Sequence, residues 1–229
     1  MRFKKVLTWT LSVCVLMGLA YLLGYSKLLV VKAINIQGLS QTSEISSVLS
    51  KGELHLKVGG QLARVDVKGS ERELKNLNWI KSAKVGRNWI NGEVLISLTP
   101  RTPIAQLIGP DFATNSYIDK SGKIFNPPIN PGQLPGISLA DKSQAENAAL
   151  FVSQFPAELL AKMKNLEINS KGGANMETSD GNGALQIIWG ESKEIALKVA
   201  IYNRLLALPE NSKISGMDLE NPANPVVTK

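Results

Sequence analysis

Cysteine and histidine are almost absent, since the 229 residues contain one of each, Cys14 and His55. Zinc sites of the usual His/Cys kind and iron–sulfur clusters need several such ligands, and a disulfide needs two cysteines, so none of these can be built here. Aromatic residues are scarce at 6% and show no stacking pattern of the RNA-binding kind. Neither Ser-x-x-Lys nor Gly-x-Ser-x-Gly occurs, and the only cysteine lies inside an apolar run. A Ser-His-Asp triad would have to recruit His55, which sits between Leu54 and Leu56 and reads as an ordinary strand or surface residue. No cofactor motif is present. A pair of carboxylates for glycoside cleavage remains open, because their separation of about 5–9 Å is a property of the fold.

What is present points to a globular chain with an anchor. Apolar residues make up 44% and charged ones 20%, near globular averages, and the length allows an anchor plus one or two small domains. No charged side chain lies between Lys5 and Lys27, and the run 6–26 is rich in Val and Leu. As a helix it would cross a hydrocarbon core of about 30 Å. Trp9 near one end and Tyr21 and Tyr25 near the other are residues that favour the membrane interface. Arg2, Lys4 and Lys5 precede the run, so the positive-inside rule predicts a cytoplasmic stub (1–5) and an extracytoplasmic remainder. A cleaved signal peptide is the competing reading, and Ala20-Tyr21-Leu22 does not fit its cleavage site. Ala20 and Gly24 have small-xxx-small spacing, a candidate seat for a partner helix.

Charge is unevenly placed, at +3 over residues 1–26, +6 over 27–105 and −2 over 106–229. A basic balance raises nucleic acid as a partner, but the basic segment follows the anchor and has no Arg/Lys-rich run. Attraction to anionic lipid headgroups or to an anionic envelope polymer fits better, beside the plain reading of a solvated basic face.

Residues 27–105 read as a compact α/β unit. Val31, Ala33, Ile34 and Ile36 lead to Gly38 as a first strand, and Ser40 to Glu44 offers hydroxyl caps for a helix carrying Ile45, Val48 and Leu49. After the breaks at Gly52 and Gly59-Gly60, Glu71 to Leu77 predicts a second helix. Trp79, Ile80, Ala83 and Val85 open a strand, Asn91-Gly92 is a hairpin signal, and Val94, Ile96 and Leu98 alternate after it.

Residues 106–229 read as mostly β with helices. Tyr117 to Phe125 predicts two short strands around a turn, with Asp119 bonding the turn backbone and Gly122 supplying positive φ. Calcium binding at Asp119 is disfavoured, because no further acidic ligands follow at the required spacing. Helices are expected over 145–155, 157–163 and 192–208, strands at Leu185 to Trp189 and Ile214 to Leu219, and a turn with Pro222 and Pro225 before the terminal Val226 to Lys229.

These pieces carry a resemblance. Leu77-Asn-Trp79-Ile80-Lys-Ser-Ala83-Lys-Val85-Gly-Arg87 and Pro103-Ile104-Ala105 resemble the POTRA domain of the bacterial cell-division family FtsQ/DivIB. Ile118-Asp119 with Gly122 and Phe125, Leu134-Pro135-Gly136-Ile137, Trp189-Gly190 before a helix with Lys198, and Met217-Asp218-Leu219 resemble its β domain. Ile90, where the family usually has Pro, and Thr99-Pro100-Arg101 depart from the pattern. The resemblance implies an α+β fold: an N-terminal transmembrane helix (6–26), a POTRA-type α/β domain (27–105), and a mostly antiparallel β domain with flanking helices (106–229).

It also implies a non-catalytic scaffold of the divisome in the cell membrane at the septum, with FtsB-like and FtsL-like proteins, septal wall synthases and membrane lipid as partners. No cofactor, metal or nucleic acid is expected. In the family the end of the β domain adds a partner strand to an open sheet edge. Carried over by position, that edge is Pro225, Val226, Val227 and Thr228, with Met217, Asp218, Leu219, Glu220 and Asn221 in the neighbouring strand. The alternatives are a membrane-anchored extracytoplasmic cell-wall enzyme and an envelope-polymer binding protein. An outer-membrane assembly protein would need repeated POTRA units and a barrel, for which the chain has no room.

Overall fold

The structure, a computed structural model, describes residues 2–25, 29–39, 43–50, 56–179 and 183–229. His55, the hydroxyl caps at 40–42, Gly52 and the Asp180-Gly181-Asn182 turn lie outside the described residues. The chain divides into two compact units, Met1–Arg101 and Thr102–Lys229.

The first unit opens with α1 (Arg2–Tyr25). Among the described residues no helix is long and apolar enough to cross a membrane. Among its described residues α1 carries Thr8, Thr10, Ser12 and Gly18 between the apolar ones. The Thr10 and Ser12 hydroxyls turn back to donate to the carbonyls of Val6 and Thr8, at 3.1 and 2.9 Å. The α+β class is therefore corrected in one respect, because the transmembrane helix expected at the N-terminus is not a feature of this structure.

β1 (Ala33–Gln37), α2 (Ser43–Leu49), a 3-10 turn at Leu62–Arg64, α3 (Val67–Asn76), β2 (Ile80–Asn88) and β3 (Glu93–Pro100) follow. The sheet order is β1-β3-β2, with β1 parallel and β2 antiparallel to β3. Alternation buries Val94, Ile96 and Leu98, as period-two patterning requires, and Ile45, Leu62 and Leu74 are buried in the same unit. α3 begins four residues before the predicted Glu71. The Asp66 carboxylate caps it by accepting from the Gly69 N–H at 2.9 Å, a local bond that hydrophobic spacing does not register. Two further bonds tie helices to this sheet region, Trp79 Nε1 donating to Glu44 Oε2 at 2.8 Å and the Val85 N–H donating to Glu71 Oε1 at 3.0 Å.

The second unit is one nine-stranded mixed sheet with helices. Its elements are β4 (Pro103–Leu107), β5 (Tyr117–Asp119), β6 (Ile124–Phe125), β7 (Gly136–Leu139), α4 (Ala145–Gln154), α5 (Ala157–Lys162), β8 (Met163–Ile168), β9 (Ala174–Ser179), β10 (Ala184–Gly190), α6 (Ile195–Leu206), β11 (Gly216–Asp218) and β12 (Val226–Thr228). The strand order is β12-β11-β10-β9-β8-β7-β4-β5-β6. The β10–β11, β4–β7 and β7–β8 pairs are parallel and the others antiparallel.

The hairpin turn between β5 and β6 forms as the sequence suggests. Asp119 Oδ1 accepts from the N–H groups of Ser121 and Lys123 at 2.9 and 3.1 Å, and Gly122 sits at φ 75. Leu185, Ile187 and Trp189 point inward from β10. Trp189 continues an aromatic chain, with ring centroids 5.6 Å apart for Phe151–Phe155, 4.7 Å for Phe155–Trp189 and 5.9 Å for Trp189–Tyr202. Each such pair adds about 0.5–1.5 kcal/mol beyond the area it buries. This chain fastens the region of α4 and α6 to β10, the third strand from the β12 end of the sheet.

Candidate partner-binding edge

The sheet of the second unit ends at β12, which pairs on one side with β11 and, among the described residues, has no strand on the other. Its formation is local. Asp218 Oδ1 accepts from the Glu220 N–H at 2.9 Å, Asn221 Oδ1 accepts from the Ala223 N–H at 3.1 Å, and the Asn224 N–H donates to the Asn221 carbonyl at 3.0 Å. These two side-chain-to-backbone bonds and the backbone bond turn the chain within 219–225. Pro225, which has no N–H to give a ladder, stands immediately before the strand, a position proline tolerates. The register places Thr228 opposite Gly216, Val227 opposite Met217 and Val226 opposite Asp218.

The nine residues singled out from the sequence therefore come together at one end of the sheet, but they do different work. Met217 and Leu219 are buried in the core, with Val227 half-buried against it. Val226, Thr228, Glu220 and Asn221 are exposed, while Asp218 and Pro225 are intermediate. The alternation makes one face of β12 a lid on the core and the other a surface. Val226 and Asp218 align across the strands with Ile188 of β10, and Ile188 and Val226 are 43% and 53% exposed. Ile188 escaped the sequence reading. Its signal is an isoleucine at an outward position of a strand whose odd-numbered residues 185, 187 and 189 face inward.

Behind this edge lies a buried cation. Lys198 of α6 is 2% exposed. Its Nζ donates to the carbonyl of Trp189 at 2.5 Å and to that of Glu191 at 3.1 Å. Burial pushes its pKa down, and the carboxylates of Glu220, Glu194, Glu191 and Asp218 oppose that shift. The lysine clamps the end of β10 to α6, while Glu194 takes a left-handed φ of 52 at the helix N-terminus. Nearby, Lys193 and Glu191 form an exposed ion pair at 2.6 Å, which lowers the Glu191 pKa and raises that of Lys193.

Ala20, half of the proposed helix contact, is exposed on α1, and the surroundings of Gly24 lie outside the described residues. Among the described residues no group of three or more His, Cys, Asp or Glu side chains is arranged to hold a metal ion. Among the described residues, what the edge offers chemically is a strand backbone unpaired on one side, beside a row in which Asp218 lies between the exposed Ile188 and Val226.

Comparison with known families bears on both units. A family model described as cell division protein FtsQ/DivIB, C-terminal, matches residues 111–220, and one described as POTRA domain, FtsQ-type, matches residues 29–101. The first match stops at Glu220, so β12 lies beyond it. No curated protein matches the chain.

Proposed function

The chain belongs to the FtsQ/DivIB family of cell division proteins, and on that premise we propose that it is a non-catalytic scaffold of the divisome, acting at the septum by strand addition at β12. The observation that carries this reading is the position of β12 as the terminal strand of a nine-stranded sheet. Unpaired backbone N–H and C=O groups on such an edge supply affinity to an incoming strand, and alternating side chains supply selectivity.

The partner is an extended segment of an FtsB-like protein, held with an FtsL-like protein in the same assembly. Ile188, Asp218 and Val226 form the row that its side chains meet. Pro225 marks where pairing starts, and Met217 and Leu219 contribute by holding β11 flat rather than by touching the partner.

The test is binding of the full chain and of a chain ending at Pro225 to the partner's extracytoplasmic segment, with circular dichroism as the control for folding. Loss of binding in the folded truncated chain is the expected result. Equal binding by both refutes strand addition at β12.

A further inference from the structure

In the first unit, the hairpin between β2 and β3 carries two large apolar side chains at its tip, and nothing in the reading above uses them. Ile90 is 92% exposed and Trp89 43% exposed. The loop is held in place. Asn88 Oδ1 accepts from the N–H groups of Ile90 and Asn91 at 3.1 and 3.2 Å, the Gly92 N–H donates to the Asn88 carbonyl at 2.9 Å, and Gly92 supplies φ 73. The exposure of Ile90 is thus a feature of an ordered turn.

Cations surround this tip. The guanidinium carbon of Arg87 lies 5.6 Å from the Trp89 ring centroid, and Arg87 Nη1 donates to the Ala63 carbonyl at 3.3 Å. Lys68 shares a surface depression with Arg87 and Trp89. The Lys32 stem passes Gly92, where an added Cβ would stand 3.2 Å from it. Two carboxylates are close. Asp66 lines the same depression and is engaged in capping α3, and Glu93 follows the turn.

We propose that this hairpin tip is a contact site for an anionic lipid surface, with Trp89 and Ile90 entering the headgroup region and the surrounding Arg and Lys side chains meeting lipid phosphates. Indole favours that depth because its ring is apolar and its N–H remains hydrated. Long basic side chains lay their stems along the apolar boundary with their charge toward the headgroups. The sign of the charge selects the surface, since residues 27–105 carry +6 and polybasic segments are drawn to anionic leaflets. A protein partner for the same tip is a different proposal, which the experiment separates from this one. The inference does not depend on strand addition at β12.

The experiment uses tryptophan quenching in the full chain. Trp79 and Trp189 are buried, so a Trp9→Phe chain reports on Trp89 and a Trp89→Phe chain reports on Trp9. Each is mixed with vesicles of brominated phosphatidylcholine, with and without phosphatidylglycerol. The expected result is quenching of Trp89 on the phosphatidylglycerol vesicles, reduced by salt, and about tenfold weaker apparent partitioning through this site after Ile90→Asp, the factor associated with withdrawing one aliphatic side chain. Quenching of Trp9 without quenching of Trp89 overturns the proposal, because the chain is then on the vesicle with the hairpin in water. Absence of quenching at both positions overturns it as well. An unchanged melting profile of the Ile90→Asp chain excludes unfolding as the cause of a loss.

Discussion

Gly190 faces Glu220 so closely that a Cβ at position 190 would stand 2.7 Å from the Glu220 Cγ and 3.1 Å from its Cα, and Gly190 also holds φ at 64. The end of β10 and Glu220, two residues beyond β11, therefore pack through the absence of a side chain. Leu219 completes the link by donating its N–H to the Ile188 carbonyl at 2.8 Å. This contact sets the position of β11, and through β11 that of β12.

Gly190→Ala is expected to destabilise the second unit by about 1–3 kcal/mol, combining a left-handed backbone with a close contact. Urea denaturation measures it. The double variant Gly190→Ala, Glu220→Gly should recover part of the loss if the contact matters, and none of it if only the backbone conformation does.

Lys198 makes a pH-dependent contribution of definite sign. Its folded pKa is lowered from 10.5 by burial, so between that lowered value and 10.5 the unfolded chain binds more protons. Stability from this group then rises with pH across that window. The unfolding free energy of the unmodified chain minus that of Lys198→Met should increase as pH climbs from neutral toward the unfolded value. A flat difference would mean that the lysine is solvated in the folded state. Separately, the methionine variant leaves the Trp189 and Glu191 carbonyls without their donor, at a cost of about 1–3 kcal/mol.

Neighbouring valines of β12 should separate binding from stability. Val226→Asp changes an exposed side chain and is expected to alter stability by about 0.5 kcal/mol or less, while weakening partner binding roughly tenfold or more by placing a charge at the pairing edge. Val227→Ala removes methyl groups packed against the core and should cost about 1 kcal/mol with a smaller effect on binding. Calorimetric titration of the partner segment alongside thermal melts tests both. The opposite assignment of effects would place the contact on the wrong face of the strand.

Removing the α3 cap tests the first unit independently. Asp66→Ala deletes the carboxylate that accepts from the Gly69 N–H and should destabilise this unit by about 1 kcal/mol. Asp66→Asn should retain most of that, because the amide oxygen can still accept. Equal loss in both variants would point to the charge rather than the cap. Hydrogen exchange at Gly69 and Ser70 provides a local readout.

Much of the local structure was legible because it is written in local chemistry. Alternation in 94–98 and 185–189, the glycine turns at Gly92 and Gly122, and the proline before β12 all appear where periodicity and backbone preference put them. Two helix starts were not. The first turn of α3 is Val67-Lys-Gly-Ser70, with little apolar pattern to announce it, and α6 starts at Ile195 rather than near Ser192 because Glu194 takes a left-handed φ before the helix. Neither the exposure of Ile188 nor the burial of Lys198 follows from local pattern, and packing assigns the first to a surface row and the second to the core.

By itself, then, the sequence determined which segments become strands, helices and turns, which family they belong to, and that metal centres of the His/Cys kind have no ligands to use. Those properties depend on residues a few positions apart, or on residues that are simply missing. Tertiary structure alone decided that β12 ends the sheet among the described residues, that β10 and β11 run parallel beside it, and that Lys198 is buried behind it. All three depend on which strands meet across tens of residues, a choice made by collective burial and hydrogen bonding that no local pattern encodes.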